Sequence, residues 1–133
     1  MVLPDGRLVT GKTSSLLGAS ASMLMNALKV VGSIDDELDL LPDMVIKPIS
    51  ELKTEHLGHN NPRLHSDEVL LALAISGLTN PLAARAQKQL PKLRGADAHF
   101  SVIISEEDVQ LYKSLGVNVT CEPRYEVEKL YHK

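Results

Sequence analysis

The chain has 133 residues, 44% of them hydrophobic, which suits one domain with a real core; with one Phe, three Tyr and no Trp, that core must be aliphatic, and a base-stacking platform for nucleic acid is not expected. The formal net charge is −3, with no basic stripe, which argues against nucleic acid and anionic membranes as partners. The single Cys121 excludes an intramolecular disulfide and a cysteine-based metal cluster, no apolar run is long enough to span a bilayer, and the N-terminus lacks a signal-peptide layout, so a cytoplasmic location is expected.

In chain order, Pro4-Asp5-Gly6 signals a turn, and Arg7-Leu8-Val9-Thr10 predicts a short strand. Gly11 to Ser15 follows as a tight polar turn. Leu16, Leu17, Ala21, Leu24, Ala27, Leu28 and Val31 recur at three and four, predicting a helix from Leu16 to Val31 stopped by Gly32. The acidic stretch Ser33–Pro42 reads as a linker or a short helix. Met44-Val45-Ile46 reads as the start of a strand interrupted by Pro48, and Ile49 to Leu57 as a short helix or irregular segment.

The densest polar run is Gly58 to Glu68, a loop that feeds a helix over Ser66 to Gly77. Ser66 or His65 lies near its cap, with Asp67 and Glu68 in the first turn, where carboxylates complement unpaired amides and the helix dipole. Thr79 or Asn80 caps a second helix with Pro81 at its first position; Leu82, Ala83, Ala86, Leu90 and Leu93 mark its buried face, and Pro91 kinks or ends it. Phe100 to Ile104 is the clearest strand. Ser105 caps a helix carrying Val109, Tyr112 and Leu115, and Val117 to Cys121 is the last strand, followed by a charged tail from Glu122. This alternation predicts an α/β fold, a layered sandwich with a mixed sheet, flanking helices and right-handed crossovers.

Gly6 to Thr13 fits the letter pattern of a phosphate-binding loop, G-x-x-x-x-G-K-[ST]. Only five residues precede Gly6, however, and Leu8-Val9-Thr10 look extended rather than looped. A simpler expectation survives, an anion site made by Lys12, Thr13, Ser14 and the amides of Ser14 and Ser15 at a helix start. Asn60, Asn61, Arg63 and His65 supply a second wall, with Arg63 as an anion-binding fork and His65 as the one plausible general acid or base. The competing expectation is a capped surface turn with Lys12 and Arg63 in solvent. His56, His59, His65, Asp67 and Glu68 carry donors suited to zinc, but their spacing matches no metal pattern, so no metal and no cofactor are expected. There is no G-x-S-x-G elbow, and adjacent Asp67 and Glu68 diverge on a helix, so no complete catalytic constellation is present.

Several runs together resemble a known bacterial family. They are Leu3-Pro4-Asp5-Gly6, Val9-Thr10-Gly11-Lys12-Thr13-Ser14, Leu16-Leu17-Gly18-Ala19, Asn26-Ala27-Leu28-Lys29, Asn61 to Leu70, and Leu115 to Pro123. The chain resembles the C-terminal part of domain-of-unknown-function family 1846. The resemblance implies the last domain of a much longer protein, whose larger N-terminal part carries its own glycine-rich phosphate-loop-like sequence. It also implies a cytidine-deaminase-like α/β sandwich. The paired cysteines and His-x-Glu of deaminases are missing, so no deamination follows from the fold. The expected role is that of an accessory or interaction domain, forming a homo-oligomer or meeting a partner in place of the N-terminal part. The alternative is a small-molecule or phosphate-binding domain contributing to an enzyme site, with a small anionic ligand.

Overall fold

Helix α1, Ala19–Val31, is the centre of the fold, with Ala21, Leu24, Ala27 and Leu28 wholly buried. In the computed structural model, residues 1–123 are described, and the charged tail from residue 124 onward lies outside them. α1 starts later than the apolar spacing predicts, for a local reason. The Ser14 hydroxyl accepts from the amides of Leu16 and Leu17 at 3.3 and 3.1 Å, and the Gly18 amide goes to the Leu64 carbonyl at 3.1 Å. A serine side chain competing for backbone donors holds this segment out of the helix. Leu17 instead forms a parallel bridge with Leu64.

Met44 to Ile46 is helical, which corrects the strand expectation. Helix α2, Asp43–Glu51, runs straight through Pro48. Proline withholds one amide from the Met44 carbonyl, and Met44 is 80% exposed, so water can satisfy that carbonyl. Ile46 is buried on the inner face. The helix then widens into a π-helical turn, Leu52–His56, which aims Lys53 inward.

Helix α3, Ser66–Ser76, and helix α4, Pro81–Gln87, pack on each other and on α1. Asn80 caps α4 as expected, its side-chain oxygen accepting from Leu82 and Ala83 at 3.0 and 3.4 Å. α4 ends well before Pro91, and a 3-10 turn over Leu90–Leu93 carries the proline. Strand β1, Asp97–Phe100, helix α5, Glu106–Ser114, and strand β2, Asn118–Cys121, form one strand-helix-strand unit. β1 and β2 are parallel, with Asp97 opposite Asn118 and Phe100 opposite Cys121. The strand expected over Phe100 to Ile104 is therefore shifted back. Beyond Phe100 the chain leaves the sheet toward the Ser105 cap of α5.

The N-terminal strand predicted over Arg7 to Thr10 reduces to bridges. Val2 pairs antiparallel with Leu8 and with Asp97, so the antiparallel pairing consists of two isolated bridges, one of them onto β1 beside the parallel pair. Among the described residues the architecture is mixed α/β, with five α-helices and a two-stranded parallel sheet. No helix among them is long and apolar enough to cross a membrane.

Candidate functional site

The loop before α3 is strapped from below. Lys53, 2% exposed, donates its ammonium to the Arg63 carbonyl at 2.5 Å and to Glu68 Oε1 at 2.7 Å. Glu68 also accepts from the His65 amide at 2.8 Å, which fixes the first turn of α3. Ser50 Oγ donates to the Pro62 carbonyl at 2.7 Å, and Asn61 Oδ1 accepts from the Arg63 amide at 3.0 Å. On the far side, Asp108 of α5 accepts from the Ser66 amide at 3.1 Å, from the Ser66 hydroxyl, and from Ser20 Oγ at 2.7 Å. Tyr112 donates its hydroxyl to the Ser20 carbonyl at 2.6 Å. Burial, with the neighbouring Asp108 carboxylate, pushes the Tyr112 phenol far above its ordinary range. One buried carboxylate thus ties α1, α3 and α5 together.

Two of the predicted walls meet at Arg63, whose Nε donates to the Ser14 carbonyl at 2.5 Å. Backbone bonds from Gly18 to Leu64 and from Leu64 to Leu16 run alongside. Asn61 serves its own turn, Asn60 is exposed, and His65 is the half-buried N-cap residue of α3. At the expected helix-start anion site, Ser14 is engaged within its own turn. Its amide donates to the Leu17 carbonyl at 2.9 Å and its hydroxyl holds the next turn. Thr13 is half-buried beside it.

The phosphate-loop letters adopt a different shape. Leu3 and Arg7 close a turn through backbone bonds, and Gly6 takes a left-handed conformation at φ 90°. The Arg7 amide and guanidinium hold the exposed Asp5 carboxyl below its usual range. Gly11 lies against the α1 backbone, where a Cβ would come within 2.3 Å of the Met23 nitrogen. That approach leaves Lys12 at the edge of an open cleft of about 580 Å³. Residues 10–12, Ser22, Met25, Asn26 and Lys29 of α1, and Asp39 to Leu41 line it. Arg63, His65 and the two asparagines do not line it.

Across β1 and β2, His99 Nδ1 lies 2.7 Å from Thr120 Oγ1, and its Nε2 lies 3.2 Å from Glu122 Oε1. The order imitates a nucleophile, base and acid, but the His99 and Glu122 side chains are 58% and 49% exposed on an open sheet face. Opposed register alone accounts for the His99–Thr120 contact. Among the described residues no three His, Cys, Asp or Glu side chains converge as a metal ion would require.

A second surface is apolar. Helix α3 buries Val69, Ala72 and Leu73, yet its opposite side and the following turn expose Leu71 at 66%, Ile75 at 68% and Leu78 at 84%. The groove between α3 and α4 beside Leu78 is lined by Ala74, Gly77, Ala84 and Leu90.

The family described as "Domain of unknown function DUF1846, C-terminal" matches residues 1–131. A UPF0371 protein of Corynebacterium efficiens is 53% identical over the whole chain, which covers 27% of that relative. A UPF0371 protein of Streptococcus thermophilus is 49% identical over 98% of the chain, and one of Streptococcus pneumoniae 48% over the same share. In both, the match takes up 26% of the relative, so the chain spans about a quarter of the length of these proteins. With that match running over nearly its whole length, the chain belongs to the DUF1846 C-terminal domain family.

Proposed function

We propose that this domain is an interaction module, docked through the exposed side of α3 onto the part that precedes it in its longer relatives. One observation carries this reading. α3 is apolar on every side from Val69 to Ile75, a composition that belongs to a helix covered all round, and its Leu71–Ile75–Leu78 side is open. Most of each relative's length lies outside the match, which supplies the occupant. Among the described residues, two parallel strands and three isolated bridges are also less sheet than a stable α/β sandwich needs. The cytidine-deaminase-like sandwich would then be completed by strands from that preceding part.

Thiol accessibility tests the docking. With Cys121 replaced by Ser, Leu78→Cys in this chain is expected to react rapidly with a maleimide. A cysteine at the corresponding position of the full-length Corynebacterium efficiens relative should be protected. Equal labelling rates in the two proteins would refute the reading.

A second reading is favoured by the contact of Arg63 with Ser14. It joins two of the expected ligand walls, and the guanidinium keeps further donors for a small anion. A thermal-shift screen with sulfate and phosphate, at matched ionic strength, on the parent and on Arg63→Ala decides this reading. Identical shifts in both proteins would end it.

A further inference from the structure

The cleft beside Lys12 is independent of the docking surface, with which it shares no residue. Its volume of about 580 Å³ lies in the range of metabolite-sized sites. Met25, Leu40, Leu41 and Ile46 form its floor, and each is nearly buried. The polar groups are gathered at the edge. Lys29 donates to the Asp36 carbonyl at 3.0 Å, which fixes its ammonium and leaves two of its three protons for another acceptor. Asn26 Nδ2 donates to the Thr10 carbonyl at 2.9 Å and so braces the segment that carries Lys12. Lys12 is exposed at the edge, where the tight Gly11 contact delivers it.

Three charged residues line the cleft, Lys12, Lys29 and Asp39, and their charges sum to +1. That balance suits a monoanion and is too small for the phosphates of a nucleotide. No aromatic ring lines the cleft, so nothing there stacks on a base. The floor is aliphatic and rewards a hydrocarbon chain through burial. We propose that the cleft between residues 10–12, α1 and the Asp39–Ile46 segment binds a small aliphatic carboxylate, with its anion at Lys12 and Lys29 and its chain on the Leu40–Leu41–Ile46 floor.

The test is calorimetric titration of the intact chain with sodium octanoate, octan-1-ol and sodium phosphate in parallel. Octanoate is expected to bind saturably with a dissociation constant of about 1 mM or tighter. Octanol should bind more weakly because it lacks the charge, and phosphate should not saturate because it lacks the chain. Lys12→Ala and Lys29→Met should each weaken octanoate roughly tenfold, the worth of one charge-assisted hydrogen bond. Circular dichroism checks that both variants fold, and Lys12 is exposed enough for its truncation to leave the core intact. Leu71→Asp/Ile75→Asp should leave octanoate binding unchanged. Three results would overturn the assignment: no saturable octanoate binding, binding undiminished in both lysine variants, or binding lost with the α3 variant alone. The last would place the acyl chain on the docking face.

Discussion

Replacing Asp108 by Ala removes the acceptor of three hydrogen bonds at a site only 4% exposed. The Ser20 hydroxyl, the Ser66 amide and the Ser66 hydroxyl then lose their partner where water barely reaches, since Ser20 and Ser66 are 3% and 0% exposed. Each stranded buried group costs about 1–3 kcal/mol. Removing a buried charge returns part of that through relieved desolvation, so the net loss is expected at about 3–5 kcal/mol. Asp108→Asn keeps one acceptor oxygen and should cost less, about 1–2 kcal/mol. Urea unfolding followed by circular dichroism measures both, with an unchanged m-value as the condition for comparing midpoints. Hydrogen exchange at the Ser66 amide should accelerate in Asp108→Ala. A loss below about 1 kcal/mol, or equal losses for Ala and Asn, would refute the view that this carboxylate pins three helices.

Gly11→Ala forces a Cβ to 2.3 Å from the Met23 nitrogen and should cost about 2–3 kcal/mol in urea unfolding, whereas Gly6→Ala, with open space but φ 90°, should cost about 1 kcal/mol; the reverse order would contradict the packing argument. Lys53→Met breaks the buried pair with Glu68 and should cost about 3 kcal/mol, and Lys53→Met/Glu68→Leu should lose much less than the sum of the single variants. An additive cycle would show that the two side chains do not interact. Tyr112 has a folded pKa raised above its unfolded value, so its contribution is complete below about pH 10 and is lost as pH rises beyond that. Thermal melts between about pH 9 and 11.5 should therefore fall more steeply for the parent than for Tyr112→Phe. Parallel curves would contradict this.

The elements with strong local punctuation were legible in the sequence. α3 begins where the polar loop meets Ser66-Asp67-Glu68, α4 begins at Asn80-Pro81, and α5 begins after Ser105, each marked by a residue that satisfies free amides. β2 followed from the run after Gly116. α2 was hidden because Val45 and Ile46 favour strands and Pro48 argues against a helix, whereas exposure of the Met44 carbonyl makes the helix tolerable. The early start assigned to α1 came from Leu16 and Leu17, which are half-buried for another reason, their pairing beside Leu64. Among the candidate site residues, Arg63 donates to the Ser14 carbonyl, and Lys12 lines a cleft that Arg63 does not line. Lys53 and Asp108 were missed as organisers. A π-helical turn aims the first inward, and the partners of the second lie 42 and 88 residues away, a distance that no local pattern encodes.

The docking of the open side of α3 onto the preceding part of the longer protein is our proposal. Its most direct test is to express that part of the Corynebacterium efficiens relative separately and titrate it calorimetrically with this chain. A one-to-one complex with a dissociation constant of about 10 μM or tighter is predicted. Leu71→Asp/Ile75→Asp/Leu78→Asp, which alters only exposed positions, should abolish it while the domain remains folded. No binding at about 100 μM between two folded parts, or an undiminished complex with the triple variant, would contradict the account.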